Sequence, residues 1–238
     1  MLKVLDDAMQ VQVAAGIDPT TDEDNEPLLD EQQFYITRVG FSIAHAITWL
    51  EQLNHAVYFI GDFKYGGKAK QEGVNRVHHL IYNIENYLIR LQSVYDRMLQ
   101  LVNRVFHICT SDELVSHSLI VSNLHVARTK VPKVLRNLRK RIEPLAKVRN
   151  DVIHKHSLID KDLRRLDLFY MHTESTWRPR NDRMPFKNLA YVRSQLMKKV
   201  STAKRAEFEA TNSDLFAAVE PLFNELLAEY ERQKKRLR

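Results

Sequence analysis

The sequence predicts an all-α protein built as a helical bundle, and two observations lead to this prediction. Apolar residues recur every three or four positions over long stretches, which is the spacing of one face of an α-helix. Glycine and proline are scarce, with 6 and 7 among 238 residues. The hydrophobic share of 44% is enough to bury a substantial core. We therefore expect helices packed on helices, without a sheet.

Residues 1–32 are acidic and differ in charge from the rest of the chain. They predict a short helix around Leu2–Ala14, followed by an acidic loop that contains Pro27. One lysine stands against nine acidic side chains, so the segment carries −8 and leaves +14 on the remainder of a chain whose net charge is +6. We expect residues 1–32 to form an N-terminal arm, and the basic remainder to bind anionic partners.

Two long helices are expected next, over about 33–60 and about 74–108. A cluster of glycines between residues 61 and 73 separates them. The second is almost perfectly periodic, and three-to-four alternation sustained over this length favours near-antiparallel packing in a bundle. Its apolar positions are Val74, Val77, Ile81, Ile84, Leu88, Leu91, Tyr95, Met98, Val102, Val105 and Ile108.

The second half of the chain predicts further helices. Ser111, followed by two acidic residues, would cap a helix through about residue 127, and Pro132 would open the next one. Pro144 should kink that helix or split it in two, because proline removes a backbone donor and crowds the preceding turn. A helix over about 160–172 follows, and helices over about 187–210 and 213–236 would form a C-terminal hairpin. The predicted organisation is an acidic arm (1–32), a bundle (33–175) and a hairpin packed on it (176–238).

Several classes of protein are disfavoured. A single cysteine, Cys109, cannot form an internal disulfide, and no apolar run approaches membrane-spanning length. The N-terminus lacks a signal-peptide pattern, so we expect a cytoplasmic protein without a membrane partner. The histidines and the cysteine show no zinc-ligand spacing, and no metal or cofactor is predicted.

The most informative stretch is Arg149-Asn150-Asp151-Val152-Ile153-His154, at the end of the helix that follows Pro132. A guanidinium binds phosphate in a planar, two-pronged way, and an imidazole can give or take a proton near neutral pH. The amide of Asn150 could orient either group. These side chains together could act on a phosphodiester, although a surface Arg and a hydrogen-bonded His on an ordinary amphipathic helix would give the same pattern.

This stretch resembles the R-x(4–6)-H signature of the HEPN superfamily, helical domains of which many are metal-independent RNases. The resemblance implies that Arg149 stabilises the charge of the transition state, Asn150 positions groups, and His154 is a general acid or base. It further implies attack by the 2′-hydroxyl on the adjacent phosphate, which leaves a cyclic phosphate and a free 5′-hydroxyl. The catalytic residues expected are therefore Arg149, Asn150 and His154.

The spacing of the motif bears on oligomeric state. Arg149 and His154, five residues apart, lie about 140° apart around an ideal helix, so one straight helix would not aim both at one phosphate. HEPN domains dimerise and bring two motifs together, and the resemblance implies a homodimer here. In one toxin subgroup, a nucleotidyltransferase partner modifies a Tyr two residues after the motif His. That position is His156 in this chain, so the same modification is not expected, but a nucleotidyltransferase-type antitoxin stays among the possible partners. His156 and Asp151 could assist catalysis.

Residues 128–149 are densely basic, with Glu143 as their only acid. Such a density suits an RNA backbone, and the RNA-binding residues expected are Arg136, Arg139, Lys140 and Lys147. A solvated helix face would have the same composition. The predicted function is a metal-independent endoribonuclease in a toxin, defence or RNA-processing role. The alternatives are a catalytically inactive HEPN-like module that binds RNA, nucleotide or a partner, and a structural helical interaction protein.

Overall fold

The computed structural model describes residues 1–16, 28–61, 68, 71–155, 161–177 and 185–238, and over 145–155 it describes the backbone alone. Within these ranges the regular structure is helical and no strand occurs, which confirms the all-α prediction. None of the helices in these ranges is long and apolar enough to cross a membrane.

Nine helices are assigned in the described ranges, and four of them are long. We number them in chain order: α1 Leu2–Ala14, α2 Glu31–Gly61, α3 Arg76–Val105, α4 His117–Ser122, α5 Leu124–Ala127, α6 Val131–Lys155, α7 Lys161–Tyr170, α8 Glu174–Trp177 and α9 Phe186–Arg236. The two long helices expected in the first half of the chain are α2 and α3. Helix α3 buries most of the apolar stripe predicted for it, including Val77, Leu91 and Met98.

The predicted C-terminal hairpin is wrong, because residues 186–236 form one continuous helix. Thr211 and Asn212, at the expected break, are residue types that favour helix ends and turns. Here their polar side chains form hydrogen bonds within α9 and with its neighbours. The Thr211 hydroxyl donates to the Glu207 carbonyl oxygen at 2.8 Å. Buried Asn212 accepts a hydrogen bond from the Tyr87 hydroxyl at 2.9 Å and donates to Asn54 Oδ1 at 3.1 Å. With these partners, no turn is needed.

Helix α6 also continues where a kink or a split was expected. Pro144 lies inside it, and the helix runs on to Lys155 rather than ending as two pieces. Pro144 has no backbone N–H to donate to the carbonyl of Lys140, four residues earlier. Both residues are exposed, so water can bind that carbonyl instead. The helix expected over about 112–127 is instead the pair α4 and α5, because Asn123 ends one and caps the other by accepting from two backbone N–H groups.

The described residues divide into two compact units. Unit 1 contains Met1–Glu51, Gln92–Ile142 and Asp214–Arg238, and unit 2 contains Gln52–Leu91 and Glu143–Ser213. Both units draw on the same long helices. The boundaries predicted at residues 32 and 175 stay a prediction.

Helix α1 is an integral part of unit 1. Its Val4 is fully buried, and the Asp7 carboxylate accepts hydrogen bonds from the Tyr230 hydroxyl at 2.9 Å and from Lys234 Nζ at 2.7 Å. Burial alone would raise the pKa of Asp7, but these two donors lower it overall below its ordinary value. The acidic loop expected after α1 falls largely in residues 17–27, outside the described residues.

Unit 2 is held by a neutral network and stacked rings. Tyr87 stacks on Phe208, with ring centroids 3.6 Å apart and planes 11° from parallel. The same tyrosine supplies the hydroxyl that binds Asn212. Burial raises the pKa of Tyr87 well above its ordinary value, so this hydroxyl stays a donor throughout the usual pH range.

Candidate functional site

The predicted catalytic motif lies in a helix, as the sequence indicated. Arg149, Asn150, Asp151 and His154 all fall within the last two turns of α6. Their side chains, together with that of Lys147, lie outside the described part of the structure, and His156 lies outside the described residues altogether. The backbone therefore fixes the helical spacing of the motif.

The first half of α6 is described in full, and it has an apolar face and a basic face. Four apolar residues, spaced three or four apart, are buried in unit 1: Val131, Leu135, Leu138 and Ile142. The predicted RNA-binding residues Arg136, Arg139 and Lys140 are all exposed. Burial of one helix face thus leaves these cations in solvent on the other.

No carboxylate among the described residues neutralises the charges of this basic face. Arg136 donates from Nε to the Pro132 carbonyl oxygen at 3.2 Å, which is a contact within its own helix. Neither Arg136, Arg139 nor Lys140 forms an ion pair within the described ranges. Arg141 on the same helix differs, because it pairs with Asp214. Three cations on α6 therefore remain available to a polyanion.

One ionisable pair beside this face was missed by the sequence analysis. His117, at the start of α4, shares a hydrogen bond between its Nδ1 and the hydroxyl of buried Tyr95. Burial is the largest cause that lowers the pKa of His117, and the charges of Arg139 and Arg136 lower it further. Burial raises the pKa of Tyr95 to about 12. His117 is therefore neutral at neutral pH, and its titration is coupled to the basic face.

No short-range signal in the sequence marks His117. Its partner Tyr95 lies 22 residues earlier, on another helix. Its position next to the N-cap Ser116 was the only local clue, and a cap indicates the start of a helix rather than a site.

The described residues contain no group of three or more His, Cys, Asp or Glu side chains that could hold a metal ion. The chemical capacity of the α6 surface is that of a cationic helix face with a titratable imidazole beside it. Such an arrangement can bind phosphates and exchange a proton near them.

Comparison with family models identifies the domain. The model of the Cthe2314-like HEPN family matches residues 38–211. The chain belongs to the HEPN superfamily. No curated protein and no solved structure matches it significantly.

The family match confirms the resemblance to the HEPN superfamily, and the Arg149–His154 stretch lies inside the matched range. The match also extends beyond the bundle predicted over residues 33–175 and into the first half of α9. The HEPN domain of this protein therefore includes residues from α2 through α9, and it draws on both compact units.

Proposed function

We propose that this HEPN protein is a metal-independent endoribonuclease. In this proposal, Arg149 binds the scissile phosphate and stabilises the charge that develops on it, and Asn150 orients the reacting groups. His154 transfers the proton, as general base toward the 2′-hydroxyl or general acid toward the leaving 5′-oxygen. The products are a 2′,3′-cyclic phosphate and a 5′-hydroxyl.

The observation that carries the proposal is the position of the motif. It lies inside the range matched by a HEPN family model, on the helix whose preceding turns expose Arg136, Arg139 and Lys140 without carboxylate partners. Unpaired cations along one helix supply the sequence-independent attraction to RNA that a nuclease needs. Lys147 would extend this attraction toward the motif, and Asp151 and His156 are proposed as auxiliary residues.

We also propose that the active form is a homodimer. Arg149 and His154 lie about 140° apart around a regular helix, whereas two facing copies would place an Arg and a His from different chains in one cleft. A cytoplasmic toxin, defence or RNA-processing role fits such an enzyme. A nucleotidyltransferase antitoxin that modifies a Tyr would meet His156 instead, so any antitoxin would have to act elsewhere.

The test is cleavage of a single-stranded RNA in the presence of a chelator. The His154→Ala variant should lose cleavage by a factor of at least about 100, since general acid–base catalysis contributes on this scale. His55→Ala is the matched control, because His55 is an exposed helical histidine outside the motif, and it should cleave like the wild type.

Sedimentation with and without RNA would show whether the dimer forms.

Unchanged cleavage by His154→Ala would contradict the nuclease assignment. Binding of RNA without cleavage by the wild type would favour the catalytically inactive HEPN module instead.

A further inference from the structure

A second basic surface in unit 1 combines arginines with exposed aromatic rings. Along α2, Phe34, Arg38, Phe41 and His45 are spaced by four, three and four residues, so they follow one face of the helix. Phe34 is 46% exposed and Phe41 is 67% exposed. Phe41 contributes little to the core, because most of its surface is not removed from water.

The rings and cations of this face are already in contact with each other. The Arg38 guanidinium carbon lies 5.1 Å from the centroid of the Phe34 ring. The rings of Phe41 and His45 have centroids 4.3 Å apart and are tilted by 48°. Arg38 has no carboxylate partner in the part of the chain that the structure describes.

Helix α3 supplies the facing wall of a groove of about 290 Å³, which we call the α2–α3 groove. The residues of interest in its lining are Arg38, Phe41, His45, Arg97, Gln100 and Arg104. Arg97 donates to Gln100 Oε1 at 2.9 Å. It also lies over the Trp49 ring, 5.5 Å from the centroid, which holds the guanidinium in a fixed position.

The turn after α3 connects two residues that line the groove, Arg104 and Asp112. His107 and Cys109 both have positive φ, 50° and 60°, which is uncommon for residues other than glycine. Buried Asn103 stabilises this turn by donating to the Thr110 carbonyl at 2.7 Å and accepting from its N–H at 3.3 Å. The turn is followed by Asp112, which forms an ion pair with Arg104 at 2.7 Å.

We propose that the α2–α3 groove binds single-stranded RNA, with a base stacked on Phe41 and the adjacent phosphates bound by Arg38 and Arg97. Exposed rings interleaved with arginines are the pattern that single strands require, because unstacked bases need an aromatic platform and phosphates need cations. Only one carboxylate, that of Asp112, lines the groove among the described residues, against three arginines. The volume is near the lower limit for ligand pockets, which suits about one nucleotide.

This inference rests on the proposed function only in taking RNA as the ligand. Binding at the groove requires neither Arg149 nor His154. It can therefore be measured on a variant that cannot cleave, and its failure would be distinct from failure of the nuclease assignment.

The experiment measures fluorescence anisotropy of a short labelled oligouridine on the full chain carrying His154→Ala. Adding Phe41→Ala should weaken binding by about 5- to 100-fold, the range for loss of one stacked base. Phe41→Tyr should restore most of the affinity, because tyrosine keeps the ring. Phe59→Ala is the matched control, since Phe59 is an exposed phenylalanine of α2 in unit 2, and it should bind like the parent.

Salt and a competing ligand distinguish the alternatives. The loss caused by Phe41→Ala should persist at high salt, whereas the loss caused by Arg38→Gln should shrink as salt rises. Thermal unfolding of each variant should match the parent, since both side chains are largely outside the core. Equal RNA affinity of parent, Phe41→Ala and Arg38→Gln would overturn the proposal. It would also be overturned if an acidic peptide, rather than RNA, bound in a Phe41-dependent way.

Discussion

Two basic surfaces of unit 1 differ in whether their arginines contact aromatic rings. On α6, Arg136 and Arg139 are exposed and form no cation–π contact with the described residues, whereas on α2 and α3 Arg38 lies over Phe34 and Arg97 over Trp49. Cations alone attract any phosphate chain and lose that attraction in salt. Cations with rings can also hold a base. We therefore expect the α6 face to determine how strongly RNA is attracted, and the α2–α3 groove to distinguish single strands from duplexes.

The largest effect is expected at the motif end of α6, where charge alone should not be enough. Arg149→Lys keeps the positive charge but cannot reproduce two-pronged binding of phosphate, so the cleavage rate should fall by about 100-fold or more. Single-turnover cleavage at saturating RNA measures this rate separately from affinity. A rate close to wild type would mean that Arg149 acts like the other cations of α6.

The next effect concerns the described part of the α6 face. Neutralising Arg136, Arg139 and Lys140 to Gln should weaken RNA binding by about 10- to 100-fold at ~0.1 M salt. It should also flatten the dependence of affinity on salt by roughly 0.7–0.9 units of slope for each phosphate that the variant no longer binds. Titrations of labelled RNA at several salt concentrations measure both quantities.

Arg141→Gln is the control for this triple variant, because Arg141 lies on the same helix but is paired with Asp214. RNA affinity and salt slope should stay at the wild-type level in this variant. If the triple variant also kept the wild-type slope, the α6 face would be a solvated surface that does not bind RNA. The proposed difference in role between this face and the groove would then be wrong.

The smallest effect is a pH dependence of RNA binding at the α6 face. Because the pKa of His117 lies below its ordinary value of about 6.5, the imidazole is neutral at pH 7. Phosphate bound to Arg136 and Arg139 would offset their repulsion and raise that pKa, so RNA binding takes up a proton. Affinity should therefore rise a few-fold as pH falls from 7.5 to about 5.5.

His117→Gln should remove this pH dependence, while Phe41→Ala should keep it, since Phe41 belongs to the groove. The lowered pKa of His117 also affects stability, which should change with pH in the opposite direction to RNA affinity. A lowered pKa disfavours the protonated form in the fold, so stability is complete above about pH 6.5 and declines as pH falls. Thermal unfolding of the wild type and of His117→Gln at both pH values would check the sign.

The sequence predicted the parts of this protein that depend on local spacing. The stripe of α3 and the exposed cations of α6 both follow from apolar residues that recur every three or four positions. The exposure of Phe41 was also within reach, because it falls between the core positions Val39 and Ile43, off the stripe of α2.

Features that depend on distant partners could not be predicted. Asn212 continues α9 because Tyr87 and Asn54, more than 100 residues away, satisfy its side chain. The same side chain in solvent would favour a turn. The pKa of His117 is lowered because other helices pack against it, and the spacing of residues in the sequence does not reveal such packing.

The close approach of α1 to α2 has a consequence for where this domain can be cut. A Cβ atom at Gly40 would lie only 2.4 Å from that of Ala8, so the two helices meet at a point where nothing larger than glycine fits. The family match begins at residue 38, after α1. A fragment that starts there would leave the contact surface of Gly40 bare and the Tyr230 hydroxyl without Asp7. We therefore expect a fragment that begins at residue 38 to be less stable than one that includes α1, although the matched range is the same in both.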